Sequence, residues 1–223
     1  MRVVSMFSGG KDSTYALHWA VEKGFDVCCL LTLLPASDES WMFQKSSVNF
    51  ATYQAAVMGI PLISWRTSGA KNEELKDLEE ALLYVKEKGV SGVITGALLS
   101  DYQRLNINLI ALKAGLKVYS PLWRKDQSRY MFDLIRHGFT FVITSASAYG
   151  FPFHLVGKEV VSEEQVEEIV EAALTYGFNP AFEGGEAETF VTFAPLFSRK
   201  LRLEGRTVKE GEFRWRYDIS RIL

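Results

Sequence analysis

The chain has 223 residues, of which 48% are hydrophobic, and a formal net charge of −2. That length fits one large domain, or a medium domain with an appendage, and supplies enough apolar residues for a filled core. The near-neutral balance gives no global electrostatic case for nucleic acid or a membrane surface, and no apolar run reaches the length of a membrane span.

Residues 3–7 are a short apolar run and read as a first strand. Ser8-Gly9-Gly10-Lys11-Asp12-Ser13 follows. Residues 14–23 then read as a helix, with Ala16, Leu17, Ala20 and Val21 on one side and Gly24 at its end. The six residues are therefore a strand-to-helix turn. Such a turn points backbone N–H groups, and the positive end of the helix dipole, at whatever lies above it. The usual guest is a phosphate. Gly9 and Gly10 admit it without a Cβ in the way, Lys11 adds a mobile charge, and Ser8 and Ser13 add hydroxyl donors. Asp12 is the odd member, and a bound Mg2+ explains a carboxylate beside a phosphate. Lys11 and Asp12 are both expected to be exposed. The Walker A pattern is excluded, because Ser5 and Asp12 stand where it needs Gly and Ser or Thr. The dinucleotide G-x-G-x-x-G pattern is also missing.

Residues 27–34 form a continuous apolar run, as in a parallel strand covered on both faces, and Pro35 closes it. The two cysteines, Cys28 and Cys29, are adjacent within it. Neighbouring strand residues point to opposite faces, so two buried, reduced thiols are expected rather than a disulfide or a metal site. Residues 36–44 form a loop rich in aromatics, Trp41 and Phe43 among them. Helices are predicted at 48–58, 72–88, 103–114 and 127–137, and strands at 61–65, 92–97, 118–121 and 139–144. This alternation predicts an α/β fold with a doubly wound parallel sheet of five to six strands and right-handed crossovers. Ligands of such sheets bind at the carboxyl ends of the strands, where strand order reverses. The turns at 8–13, 35–44 and 96–104 lie at such ends.

The character changes after Ser145. Ser162-Glu163-Glu164-Gln165 is a capping box that opens a helix with Val166, Ile169, Val170, Ala173 and Leu174 on one stripe, ended by Gly177. The alternation Phe213, Trp215, Tyr217, Ile219 reads as an antiparallel strand with one buried face. The expected organisation is a nucleotide domain over 1–145 and a smaller C-terminal α+β domain over 146–223. Residues 199–221 hold eight Lys/Arg and four Asp/Glu, a local +4 against −6 elsewhere.

Other positions carry chemistry. Gly96 allows close backbone approach after the fourth strand, and Asp101 either faces a nucleotide or its metal or caps the next helix. Arg104 either clamps an anion or is a solvated first-turn residue. Trp123 either walls a pocket or is packed. Glu183-Gly184-Gly185-Glu186-Ala187-Glu188-Thr189 places three carboxylates around a Gly pair, which is poor strand material and costly to bury. It suits a cation or amine, or is an acidic surface turn. The three histidines, His18, His137 and His154, are far apart and suggest no Ser–His–Asp arrangement or zinc signature.

Ser8–Ser13 after a first strand resembles the pyrophosphate loop of the N-type ATP pyrophosphatases, which have the adenine nucleotide alpha hydrolase-like fold. Three segments together resemble the diphthine–ammonia ligase family within that superfamily. They are the loop at 8–13; Gly96-Ala-Leu-Leu-Ser-Asp-Tyr-Gln-Arg104 with Pro121-Leu-Trp123; and Glu183-Gly-Gly-Glu-Ala-Glu-Thr-Phe190 with Ala194-Pro-Leu-Phe197. The resemblance implies an AMP-forming ligase of archaea or eukaryotes, cytoplasmic, that adenylates a diphthine carboxylate on translation elongation factor 2 and transfers ammonia to it. It implies ATP held by Ser8–Ser13, Leu33, Gly96 and Arg104, with Lys11, Asp12 and Asp101 catalytic and Mg2+ on Asp12 and Asp101. Glu183, Gly184, Gly185, Glu186, Glu188 and Thr189 would bind the acceptor, with Trp41 and Phe43 helping to hold its trimethylammonium group. Neither a membrane nor a nucleic acid partner is expected, ammonium is the expected nitrogen source, and the aromatics of the C-terminal strands suit a homodimer. The chain departs from the family pattern at Asn106 and Asn108 (usually Arg and Glu), Phe193 (commonly Asp) and Glu39 (usually His). The departures bear on the acceptor, so the alternatives are a paralogue acting on another carboxylate or tRNA, and a nucleotide-binding regulator without turnover.

Overall fold

The computed structural model describes residues 1–35, 50–67 and 71–223. The expected 36–44 loop, with Glu39, Trp41 and Phe43, and the start of the 48–58 helix lie outside them. The chain divides into two compact units, residues 1–123 and 124–223.

Unit 1 is a five-stranded parallel sheet. Its elements are β1 (Arg2–Met6), α1 (Lys11–Glu22), β2 (Asp26–Pro35), α2 (Ala51–Met58), β3 (Leu62–Thr67), α3 (Lys71–Glu87), β4 (Gly92–Ile94), α4 (Asp101–Lys113) and β5 (Lys117–Tyr119). The strand order is β3-β2-β1-β4-β5, so the order reverses between β1 and β4, and the turns after those two strands adjoin at the reversal. Both sheet faces are covered. Val3 and Ile94 pack with Ala16 and Ala20 of α1. Val4, Met6, Leu31 and Leu33 pack with Leu78 and Leu82 of α3 and Ile107 and Ile110 of α4. That is why the strands read as unbroken apolar runs.

β2 departs from simple alternation. Val27 pairs with Val3 while Cys29 pairs with Val4, so Cys28 is an extra residue, a β-bulge. The bulge reverses the phase of the strand. Val27 joins the α1 face, whereas Cys28 and Cys29 both join the α3–α4 face. The expectation of opposed thiols is therefore corrected, and the two reduced sulfurs lie in hydrogen-bond contact at 3.4 Å with no disulfide between them. Burial, with the contact to Cys28 second, pushes the Cys29 thiol up to about 12, so that thiol stays protonated and inert at neutral pH.

His18 is buried in α1 with Nδ1 2.7 Å from the Thr14 carbonyl. Burial pushes its pKa down to about 4, so at neutral pH Nδ1–H donates to that carbonyl. In the unfolded chain the same imidazole titrates near its ordinary value of about 6.5. The unfolded state therefore binds the extra proton first, and the stabilisation is complete above about pH 6.5 and lost as pH falls toward 4. Thermal melts at pH 7 and pH 4.5 should differ by roughly 2 kcal/mol more in the wild type than in His18→Gln. Equal pH dependence in the two proteins would overturn this.

Unit 2 contains α5 (Gln127–Arg136), β6 (Thr140–Ala146), β7 (Glu159–Val160), α6 (Glu163–Tyr176), β8 (Ala187–Phe193), β9 (Leu203–Gly211) and β10 (Arg214–Ile222). The run at 139–144, expected as a sixth parallel strand, is β6. It pairs antiparallel with β7, β8 and β10 in a second sheet. The division thus falls between Trp123 and Arg124 rather than at 145/146. β6 is covered on both faces, with Phe141, Val142 and Ile143 all buried, which makes it look like a parallel strand in sequence. α6 opens with the predicted capping box, Ser162 and Gln165 bonding reciprocally, and ends at Gly177 with φ +80°. Arg136 of α5 ties α6 through Glu163, at 2.7 and 3.0 Å.

Candidate nucleotide and acceptor sites

The turn after β1 is bound into a fixed shape by its own side chains. The Ser8 N–H donates to Ser13 Oγ at 3.2 Å, the two hydroxyls meet at 3.1 Å, and Ser13 Oγ donates to the Gly10 carbonyl at 3.1 Å. Thr14 Oγ1 donates to that same carbonyl at 2.8 Å. The hydroxyls expected to face a phosphate thus hold the loop together. α1 starts at Lys11, three residues earlier than predicted, with Gly10 at the N-cap and no side-chain cap. In that condition first-turn N–H groups take an external anion.

Lys11 is 2% exposed, which corrects the expectation of an exposed lysine. Its ammonium reaches both oxygens of the half-exposed Asp12 carboxylate, at 2.9 and 3.0 Å. A buried ammonium is tolerable only with such a partner. The pair sits at the positive end of α1.

Sequence reasoning missed two residues that brace the loop from neighbouring elements. Gln54 of α2 is fully buried and its Nε2 donates to the Gly9 carbonyl at 2.8 Å. Gly9 has φ +81°, and a Cβ there would run into the Gln54 amide. Thr32 of β2 donates to the Phe7 carbonyl at 2.6 Å. A lone Gln beside Ala51, Ala55 and Val57, and a lone Thr in an apolar strand, were the available signals.

Gly96 does allow close approach, but to the loop itself. A Cβ there would lie 2.7 Å from the Asp12 carbonyl carbon and the Ser13 nitrogen. The turn after β4 is thus seated on the backbone of the turn after β1. Ser100, not Asp101, caps α4, accepting from the Gln103 N–H at 3.3 Å. Asp101 is exposed, its carboxylate 4.0 Å from the Arg104 guanidinium, and Arg104 stacks over the Trp123 ring at 4.3 Å.

Leu33 packs in the core, so its side chain is not a nucleotide contact; what the strand end presents is backbone. Pairing of β2 with β1 ends at Leu31, whereas pairing with β3 continues to Pro35. Among the described residues, the end of β2 therefore keeps one sheet neighbour.

In unit 2 the acidic Gly-Gly turn precedes β8. Glu186 is committed to the turn itself, with one carboxylate oxygen accepting from the Asn179 N–H (2.9 Å) and the other from the Gly184 N–H (2.8 Å). Phe182 at φ +68° and Gly185 at φ +83° complete the bend. Gly184 and Gly185 are exposed, Glu183 and Glu188 half-buried, and Thr189 buried within β8. The expected acceptor residues are thus brought together, with Glu186 and Thr189 in structural positions. A separate open cleft of about 390 Å3, lined by Glu159, Thr192, Lys200 and Arg202 among others, lies beside the opposite end of β6. Lys200 and Thr192 hold its Glu159 carboxylate at 2.6 and 2.8 Å. Among the described residues no group of three or more His, Cys, Asp or Glu is placed to hold a metal, and no helix is long and apolar enough to cross a membrane.

A parallel sheet of order β3-β2-β1-β4-β5 with S-G-G-K-D-S at its first turn is the arrangement of the N-type ATP pyrophosphatases. Comparison with known proteins narrows this class. The chain belongs to the diphthamide synthase family, whose N-terminal domain matches residues 1–118 and whose C-terminal domain matches residues 126–222. The diphthine–ammonia ligase of Danio rerio is 33% identical over 223 residues, covering 92% of this chain and 87% of that protein. The human enzyme of the same name is 32% identical, covering 93% and 85%. A solved structure, a predicted subunit of tRNA methyltransferase from Methanocaldococcus jannaschii, covers 87% of this chain and 98% of its own, at 14% identity and a TM-score of 0.44.

Proposed function

We propose that the protein is an ATP-dependent, AMP-forming carboxylate–ammonia ligase that amidates diphthine on translation elongation factor 2 in the cytoplasm. One observation carries the reading: a pre-shaped S-G-G-K-D-S turn at the uncapped N-terminus of α1, at the strand-order reversal, in a chain of the diphthamide synthase family. A carboxylate is a poor electrophile, and adenylation gives its oxygen a good leaving group. The protein must therefore stabilise the departing pyrophosphate. The first-turn N–H groups of α1 and the Lys11 ammonium meet that charge without reorganising. Mg2+ takes one or two protein carboxylates and fills its remaining positions with water and phosphate oxygens, so Asp12 at this turn, with Asp101, fits it. When bound, the ion neutralises phosphate charge.

Gly184, Gly185, Glu183 and Glu188 are the acceptor-binding group, held in shape by Glu186. Free ammonium is the nitrogen source, since no glutaminase nucleophile is evident in the sequence. The test is incubation with ATP, Mg2+, ammonium and diphthine-bearing elongation factor. AMP, pyrophosphate and an amidated factor are expected in equal amounts. ADP as product, or tight ATP binding without AMP, would overturn the reading. Glu188→Gln should impair amidation more than ATP binding, and equal impairment of both would remove it from the acceptor group.

A further inference from the structure

Unit 2 has a well-covered aromatic interior, with Phe151 packing on Phe153, Phe178 and Phe182 at ring-centroid distances of 5.6–5.7 Å. Beside it, three rings are left in solvent. Tyr149, Tyr176 and Phe213 are 64%, 50% and 41% exposed. They come from the turn after β6, the last residue of α6 and the β9–β10 turn. Tyr149 meets Tyr176 at 5.3 Å and 88°, and Phe213 at 5.2 Å and 77°. Gly150, at φ +74°, makes the arrangement possible, because a Cβ there would fall inside the Tyr176 ring. Large rings normally supply much of a domain's buried apolar area. Leaving Tyr149 and the two rings that stand perpendicular to it exposed gives that up.

The rings meet edge to face, and the faces they leave in solvent carry the negative side of the aromatic quadrupole, which attracts a cation. The charges nearby favour a cation too. Glu212, next to Phe213, is exposed. The two arginines that follow Phe213 are paired within the hairpin, Arg214 with Glu210 and Arg216 with Glu210 and Asp218, at 3.1 Å. Ser147, two residues before Tyr149, donates its N–H to the Glu186 carbonyl at 2.7 Å. The rings therefore adjoin the acidic Gly-Gly turn. A lysine ammonium is strongly hydrated and gives up water reluctantly, whereas a methylated ammonium loses little on moving onto aromatic faces.

We propose that Tyr149, Tyr176 and Phe213 form an aromatic site for a quaternary ammonium group. It rests on the function proposed above only for which molecule brings that group, and the site itself is testable without ATP or ammonia. The probe is choline, titrated at fixed ionic strength against the aromatic NMR signals of the full chain. Its neutral isostere, 3,3-dimethylbutanol, serves as the control. Choline should give saturable shifts on these rings, with the isostere binding about tenfold more weakly or worse. Tyr149→Ala and Phe213→Ala should each weaken choline about tenfold, while Tyr149→Phe, which keeps the ring face, should stay within about twofold. Backbone amide spectra of each variant verify the fold. Equal binding of the isostere would reduce the cluster to an apolar patch and overturn the proposal. Absence of saturable shifts, or ring shifts that follow protein concentration without ligand and so mark a contact between copies, would overturn it as well. A failed AMP assay beside a successful choline titration would reject the ligase reading and leave the site standing.

Discussion

Lys11→Ala should lower AMP formation by about a hundredfold or more while the protein remains folded. The lysine is buried and its partner Asp12 is 25% exposed, so the carboxylate left behind is partly reached by water and the stability loss is expected to be about 2–3 kcal/mol. On the proposed function the catalytic loss is the larger, because the ammonium would meet the charge that develops on pyrophosphate. Lys11→Arg should rescue little, since a 2%-exposed pocket has no room for a guanidinium. Asp12→Ala should also abolish turnover, and at a larger cost in stability than Lys11→Ala, because it takes the carboxylate from a buried ammonium. The checks are single-turnover AMP formation and a thermal melt for each variant. Full activity in either alanine variant would show that the turn after β1 is not the pyrophosphate loop.

Gly96→Ala is the second large effect, and it should act on both stability and ATP affinity. The added methyl would lie 2.7 Å from two backbone atoms of Asp12 and Ser13. Backbone at a helix start cannot swing aside as a side-chain tip can, so overpacking of about 1–3 kcal/mol is expected, a fall in Tm of roughly 2–12 °C for a chain of this size. Relief comes by pushing the loop, so ATP should bind more weakly even at temperatures where the variant is fully folded. Gly211→Ala is the control, because a Cβ there comes no nearer than 3.9 Å to anything, and its melt should shift by less than a degree or two. If Gly96→Ala melts and binds ATP as the wild type does, the two turns are not seated on each other in solution.

Local pattern made much of this protein legible. Apolar runs alternating with amphipathic ones carry the parallel sheet, because a strand covered by helices on both faces has no polar face to interrupt it. S-G-G-K-D-S carries the loop, because its residue types answer to one task. The differences have a common cause, in that each depends on three-dimensional packing or turn geometry that residue pattern alone does not encode. β6 was misplaced because a central antiparallel strand buried on both faces has the same composition as a parallel one. Lys11 looked exposed because its burial depends on the carboxylate of Asp12 and the packing around them. Glu186 looked like a ligand-binding carboxylate, whereas the Asn179 and Gly184 N–H groups that occupy it are set by the turn's geometry. Gln54 was passed over because its partner, the Gly9 carbonyl, is 45 residues away.

The bulge at Cys28 makes one position of the central sheet dispensable. Val27 and Cys29 already face opposite layers, so a chain that lost Cys28 would join them in plain alternation, with each later side chain of β2 still in its own layer. Losing Leu30 instead would turn Leu31 and Leu33 out of the α3–α4 layer. Length variation in this strand should therefore be tolerated at residue 28 and lethal two residues on. Cooperative melting of the Cys28 deletion beside an unfolded Leu30 deletion is the expected outcome, and equal damage from both would refute it. In a lineage, the bulge is a place where the reading frame of the core can slip without cost.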